Sequence, residues 1–293
     1  MFRSRIYLSV FILTAVVWVA ACNRHQANIV PTLQVNKKSA EMGTPIEVTY
    51  SFSTKKEFTP LLKNMTVFCH FLDPKKTIRF QDDHLPPFPT TQWKAGSNYH
   101  YTRTVFIPKN IPAGEYAIEL GIYDPATQGN RLDLDSVEAG HRSYDMGKML
   151  IEIPPQEVSI QYAKGWYDPE NETSDPSVHW RWTKQEAILK VKNPNADALL
   201  YFKGDGVPEH FKDSPQTVTL SIGDQMIDTF PIESNQPFMK KYTVPKTKLG
   251  DAKMLEVKVS VNKTFTPAED KVSPDTRELG IRVYDLYLGK ASD

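Results

Sequence analysis

The densest run of side chains able to do chemistry is Gln81-Asp82-Asp83-His84, followed by Pro86-Pro87, Pro89-Thr90-Thr91 and Trp93. Two carboxylates beside an imidazole can ligate a divalent cation or divide acid and base work between them. Neighbouring residues of an extended strand point to opposite faces, so Asp82, Asp83 and His84 converge only if the chain bends. No second His or Cys stands at a metal-binding spacing, and the sequence predicts neither metal nor cofactor. A structural reading of the same loop has Asp82 or Asp83 accepting backbone N–H bonds in a proline-rich segment packed by Trp93.

Two further groups sit in the second half of the chain. Trp180-Arg181-Trp182 would place both indoles on one face of a strand and the guanidinium on the other. Such a pair, with Trp166 nearby, can form a platform for the C–H faces of sugar rings, or it can fill a core. Asp275, Arg277 and Glu278 lead into the last apolar run. There Arg277 either meets a ligand at a sheet rim or forms an ion pair fixing the last strand against the first. Arg277 is a structural suspect because a buried Arg with a carboxylate partner is costly to break. Nowhere is there a Gly-x-Ser-x-Gly elbow, a glycine-rich phosphate loop, a His-Glu-x-x-His or a cysteine pair for zinc.

The elements that would position these groups are strands. Period-two alternation marks Thr32–Val35, Ile46–Phe52, Met65–Leu72, His100–Ile107, Tyr116–Tyr123 and Met149–Ile153, with turn residues at Asp73-Pro74, Pro112-Ala113-Gly114 and Asp124-Pro125 between them. Short strands without an amphipathic helix predict an immunoglobulin-like sandwich over 31–154. Pro154-Pro155 marks a boundary, since two prolines cannot continue a sheet ladder. A second set follows at Ala187–Val191, Leu199–Phe202, Val218–Ile222, Met226–Pro231, Lys241–Val244, Leu255–Val261 and Leu279–Leu288, with a hairpin turn at Gly223-Asp224. The expectation for 155–293 is a jelly-roll-type sandwich, so that the fold class is all-β with two β-sandwich domains.

The amino terminus reads differently. Arg3 and Arg5 precede an apolar run from Ile6 to Val19 and the small pair Ala20-Ala21 before Cys22. At about fourteen residues the run is shorter than the roughly 20 that span a bilayer, which predicts a signal peptide over 1–21. Val19-Ala20-Ala21-Cys22 resembles the lipobox of bacterial lipoproteins. The resemblance implies lipidation of Cys22, a tether over 22–30, and residence in the cell envelope. Asn23, where inner-membrane retention in enteric bacteria uses Asp, points by the family rule to the outer membrane. Two or three acyl chains, at about 0.8 kcal/mol per buried methylene, would anchor stably.

Without Arg3 and Arg5 there remain 33 basic against 35 acidic residues, which offers nucleic acid no basic footprint. Cys69 is then without a thiol partner, and stability must come from burial.

Gln81 to Trp93, with Pro112-Ala113-Gly114-Glu115-Tyr116, Gly121-Ile122-Tyr123-Asp124 and Arg131-Leu132, resembles the periplasmic β-domain that follows the membrane spans of some bacterial glycosyltransferases. Gly165-Trp166-Tyr167, Trp180-Arg181-Trp182 and Arg277-Glu278-Leu279-Gly280 are similar to galactose-binding-like sandwiches attached to glycan-handling enzymes. The catalytic domain and membrane spans of those enzymes are missing here, so the resemblance implies an accessory, noncatalytic role in envelope glycan biology. The expected functions are glycan binding or assistance to a glycan-processing complex, protein docking without a small ligand, or hydrolysis by Asp82, Asp83 and His84.

Overall fold

A computed structural model describes residues 27–127, 129–155, 160–173, 178–269 and 273–291. The leader over 1–21 and Cys22 lie outside the described residues. The protein is an all-β sandwich structure.

In the first half, β1 (Ile29–Val35), β3 (Pro45–Thr54) and β6 (Asn98–Phe106) form one sheet in the order β1-β3-β6. The facing sheet uses β2 (Ser39–Glu41), β4 (Thr66–Leu72), β5 (Ile78–Gln81), β7 (Gly114–Tyr123), β8 (Glu138–Gly140) and β9 (Ser143–Glu152), in the order β2-β9-β7-β4-β5 with β8 on β9. Two sheets in this order, with β2 parallel to β9, have the connectivity of an immunoglobulin-like sandwich. Alternation explains it: Ile46, Val48, Tyr50 and Phe52 of β3 are fully buried and meet Val67, Cys69 and Phe71 of β4 in one core. Tyr116, near the start of β7, donates its hydroxyl to the carbonyl of Pro112 at 2.8 Å, the tyrosine corner that locks this bend in such sandwiches. The tether expected to reach residue 30 ends earlier. Ile29 and Val30 already belong to β1, because Ile29 is an apolar side chain with a core to enter.

In the second half the jelly-roll order appears. The strands are β10 (Ile160–Trp166), β11 (Glu170–Asn171), β12 (His179–Lys192), β13 (Ala198–Asp205), β14 (Thr217–Ile222), β15 (Gln225–Pro231), β16 (Phe238–Val244), β17 (Met254–Val261) and β18 (Arg282–Lys290). They run β15-β14-β17-β12-β18-β13-β16, with β10 and β11 also on β12. The long β12 serves two half-sheets: Glu186–Lys192 pairs with β17, while Arg181 and Trp182 pair with β18. Counting its halves as two strands gives the four-on-four arrangement of a jelly roll. Leu189, Val191, Leu200, Phe202, Val257 and Val259 are buried between the half-sheets. The last strand starts at Arg282 instead of Leu279; Leu279 makes a single bridge to Phe265.

Two glycines are required by the backbone. Gly223 turns the β14–β15 hairpin at φ +54°, and Gly165 sits at φ +78° in an irregular stretch of β10 against the carbonyl of Glu186, where a side chain has no room. Gly165-Trp166-Tyr167 is in this respect a packing motif.

The halves touch through the outer faces of β3, β6, β13 and β16. Glu47 accepts hydrogen bonds from the hydroxyls of Thr104 and Tyr201, both at 3.0 Å, and pairs with Lys241 at 3.1 Å; Phe106 meets the Tyr201 ring edge-on.

Candidate functional site

The chain leaves β5 at Gln81 and stays extended, so Asp82 and His84 turn inward while Asp83 turns out. Asp82 and His84 are buried. Arg103 of β6, on the opposite sheet, clasps the Asp82 carboxylate with Nε 2.8 Å from Oδ2 and Nη2 2.9 Å from Oδ1. The Tyr50 hydroxyl donates to Oδ2 at 2.8 Å. His84 Nδ1 lies 3.0 Å from the Asp82 carbonyl and 3.3 Å from Oδ2, and its Nε2 is 2.8 Å from the Tyr101 hydroxyl. With Nδ1 donating and Nε2 accepting from Tyr101, both ring nitrogens are satisfied.

Burial by itself pushes the Asp82 carboxyl up, yet the hydrogen bonds from His84 and Arg103 and the charge of Arg103 outweigh it and hold the group well below the usual carboxylate range. Burial raises the phenols of Tyr50 and Tyr101 and the thiol of Cys69, keeping all three protonated. A carboxylate this firmly ionised, with both oxygens occupied, is a poor proton acceptor. Asp83 stands apart, 3.5 Å from His70 Nε2 and 3.5 Å from the Tyr123 hydroxyl. The structural reading of the loop also needs correction, because Asp82 binds side chains and not the loop's backbone N–H groups. Trp93 does pack the loop: it is buried, stacks on Tyr99 and donates Nε1 to the Phe88 carbonyl at 3.0 Å. Among the described residues no group of three His, Cys, Asp or Glu side chains is disposed to hold a metal.

The second constellation lies on the outer face of the jelly roll. Pairing places Trp182 opposite Arg282, and Arg282 opposite Asp205, all directed away from the core. Asp205 is 1% exposed and grips Arg282 through two 2.7 Å bonds while accepting the Tyr284 hydroxyl at 2.7 Å. The Arg282 guanidinium lies 5.1 Å from the centre of the Trp180 ring, 5.7 Å from Trp182 and 5.8 Å from Tyr284, within cation–π range of all three. Burial works against the charge on Arg282, but Asp205 more than restores it. A β-bulge at Tyr284 re-aims that ring toward Trp180, edge-on at 6.1 Å. Lys203 reaches over Tyr284, and beside it burial raises the Asp285 carboxyl despite Lys203, His179 and Lys109.

The two indoles differ. Trp182 is buried against Phe265, so it does not share an open platform. Trp180 is half-buried, and its Nε1 is a buried donor with no acceptor among the described residues. Trp166 is elsewhere, donating Nε1 to the Ile188 carbonyl at 2.8 Å and meeting Tyr162 edge-on. Arg277 takes Asp275 through bonds of 2.7 to 3.0 Å and Glu170 at 2.7 Å, and lies over the Tyr167 ring. It thus ties the segment before β18 to β11 at the start of this half. Asp205, Arg282 and Tyr284 were not singled out in the sequence; only strand register brings them to Trp180.

No family model matches the chain, and neither does any curated protein. Solved structures with some likeness include the alkylpurine DNA glycosylase AlkC of Pseudomonas fluorescens (14% identity, 43% of this chain and 30% of that one, TM-score 0.28). Others are the sporulation control protein Spo0M of Bacillus subtilis (10%, 74% and 91%, 0.26) and the M60 catalytic domain with two CBM51 domains of ZmpB from Clostridium perfringens (10%, 89% and 31%, 0.27). The chain spans less than a third of the glycosylase and of ZmpB, and similarity this low carries no argument about function.

Proposed function

We propose that this protein is a noncatalytic lipoprotein of the bacterial envelope, anchored by lipid on Cys22 to the outer membrane, which binds glycan or assists a glycan-processing complex. The observation that carries the reading is the cluster in which Asp205 pins Arg282 beneath Trp180 and Tyr284. Aromatic faces take the C–H faces of sugars, and neighbouring polar groups take hydroxyls; a pinned guanidinium keeps the rings in place before a ligand arrives. The other dense polar group, around Asp82, spends its hydrogen-bonding capacity internally, which supports a structural role for it. The reading involves no cofactor, no metal and no nucleic acid.

A glycan array carrying bacterial envelope polysaccharides tests the proposal. The wild-type protein should retain at least one class of glycan, and Trp180→Ala should lose it while keeping the wild-type circular dichroism. Retention of nothing on the array would overturn the reading.

A second reading, docking of an envelope protein, is favoured by β15. This is the outermost strand of its half-sheet, with Met226 67% exposed, and an edge strand can accept another chain. Crosslinking in native envelopes would then capture one dominant partner through β15.

A further inference from the structure

One pole of the first sandwich gathers its connections β3–β4, β5–β6 and the start of β1. Asn28 enters here: its carbonyl accepts the N–H of Lys55 at 2.9 Å, and Ile29 pairs with Thr54. The two loops are stitched together. The Thr90 hydroxyl donates to the Lys63 carbonyl at 3.1 Å and accepts the Met65 N–H at 2.8 Å, and the Thr91 hydroxyl donates to Asn64 at 3.0 Å. From this braced pole project Leu62, 97% exposed, Leu85, 62% exposed, and Phe88, 48% exposed. Large apolar tips raised together on rigid loops call for a partner that is itself apolar.

We infer that this pole rests on the lipid bilayer, with Leu62, Leu85 and Phe88 dipping into the interface. The inference rests on the lipid anchor proposed at Cys22. Only five residues separate Cys22 from Asn28, and the six steps between them reach about 20 Å when fully extended, so the anchor can hold no other end of the molecule so near the membrane. The jelly roll leaves from the opposite end: β9 ends there at Glu152, and Glu41, Glu47 and Lys109, which face the second half, belong to that end. Lys56 and Lys94 are exposed at the membrane pole and suit the headgroup layer, but Glu57 follows Lys56 and Asp135 pairs with Lys55 at 2.7 Å. Apolar contact, and not net charge, therefore draws the pole to the surface. The Trp180 cluster is held away from the membrane, facing into the envelope.

Nitroxide labels on the full-length, natively processed protein test this. Cysteine would be introduced by Leu62→Cys, by Phe88→Cys and, as a distant control, by Met226→Cys; Cys69 is buried and unreactive. In vesicles of phosphatidylethanolamine and phosphatidylglycerol, collisions of the labels at 62 and 88 with a water-soluble nickel chelate should fall several-fold relative to oxygen, while the label at 226 keeps its value in solution. Mass spectrometry of the same sample reports the state of Cys22. If the lipid is present and labels at 62 and 88 are as open to nickel as the control, the inference fails and the anchor stands. If Cys22 carries no lipid, the anchor fails and the inference with it.

Discussion

Arg103 and Asp82 clasp each other across the first sandwich, Nε 2.8 Å from Oδ2 and Nη2 2.9 Å from Oδ1, although they belong to opposite sheets. β6 and β5 are the outer strands on the same side of the sandwich, so this ion pair closes an open edge that would otherwise admit water. Tyr50, His84 and Tyr101 complete the closure.

Removing one partner of this pair should be costly, because it strands the other. Asp82→Ala is expected to lose about 2–3 kcal/mol, less than the roughly 3–5 of a fully buried pair, since the Arg103 side chain is 40% exposed and partly screened. The shift of the urea midpoint at neutral pH measures it.

The same carboxyl sets an acid limit. Its pKa is lowered on folding, so below about pH 4 the unfolded chain takes up a proton that the folded chain still refuses. The stabilisation is complete above the ordinary carboxylate pKa and is lost as pH falls toward the folded value. Melting temperatures followed from pH 7 to pH 3 should therefore drop less steeply for Asp82→Asn than for the wild type.

Tyr116→Phe deletes one hydrogen bond from the corner at Pro112 without changing shape. A loss of about 1 kcal/mol is expected, read by chemical denaturation.

Glu47 is the hinge of the contact between the two halves. With Glu47→Ala, Tyr201 and Lys241 lose their common partner, and calorimetry should resolve two melting transitions where the wild type shows a more nearly single one.

Much of this architecture was legible because burial on one face writes period two into the chain. Each of the thirteen alternating runs overlaps a strand, with ends that differ in places, as at Leu279 before β18. β2, β5, β8, β10 and β11 were not legible, being two to seven residues long and in part polar, as in Ile160-Gln161-Tyr162-Ala163-Lys164. β12 was seen only over Ala187–Val191, since its first half turns its indoles outward and its alternation inverts the expected meaning of apolar. The opposed faces of Asp82 and Asp83 could be read from strand geometry alone. The partners of Asp82 and His84 could not: Tyr50 and Arg103, which meet Asp82, and Tyr101, which meets His84, come from the facing sheet, and which residues meet depends on how the two sheets are stacked. The signal for the tyrosine corner, Pro112 four residues before Tyr116, was present in the sequence.

On the proposed reading the Trp180 face binds glycan. Tryptophan emission during titration with an envelope polysaccharide tests it most directly. The wild type should show a saturable change, and Trp180→Ala should show none, while Trp93→Phe, which alters a buried indole far from that face, should respond as the wild type does. A panel of polysaccharides that leaves wild-type emission flat, or a Trp180→Ala protein that titrates normally, would contradict the claim.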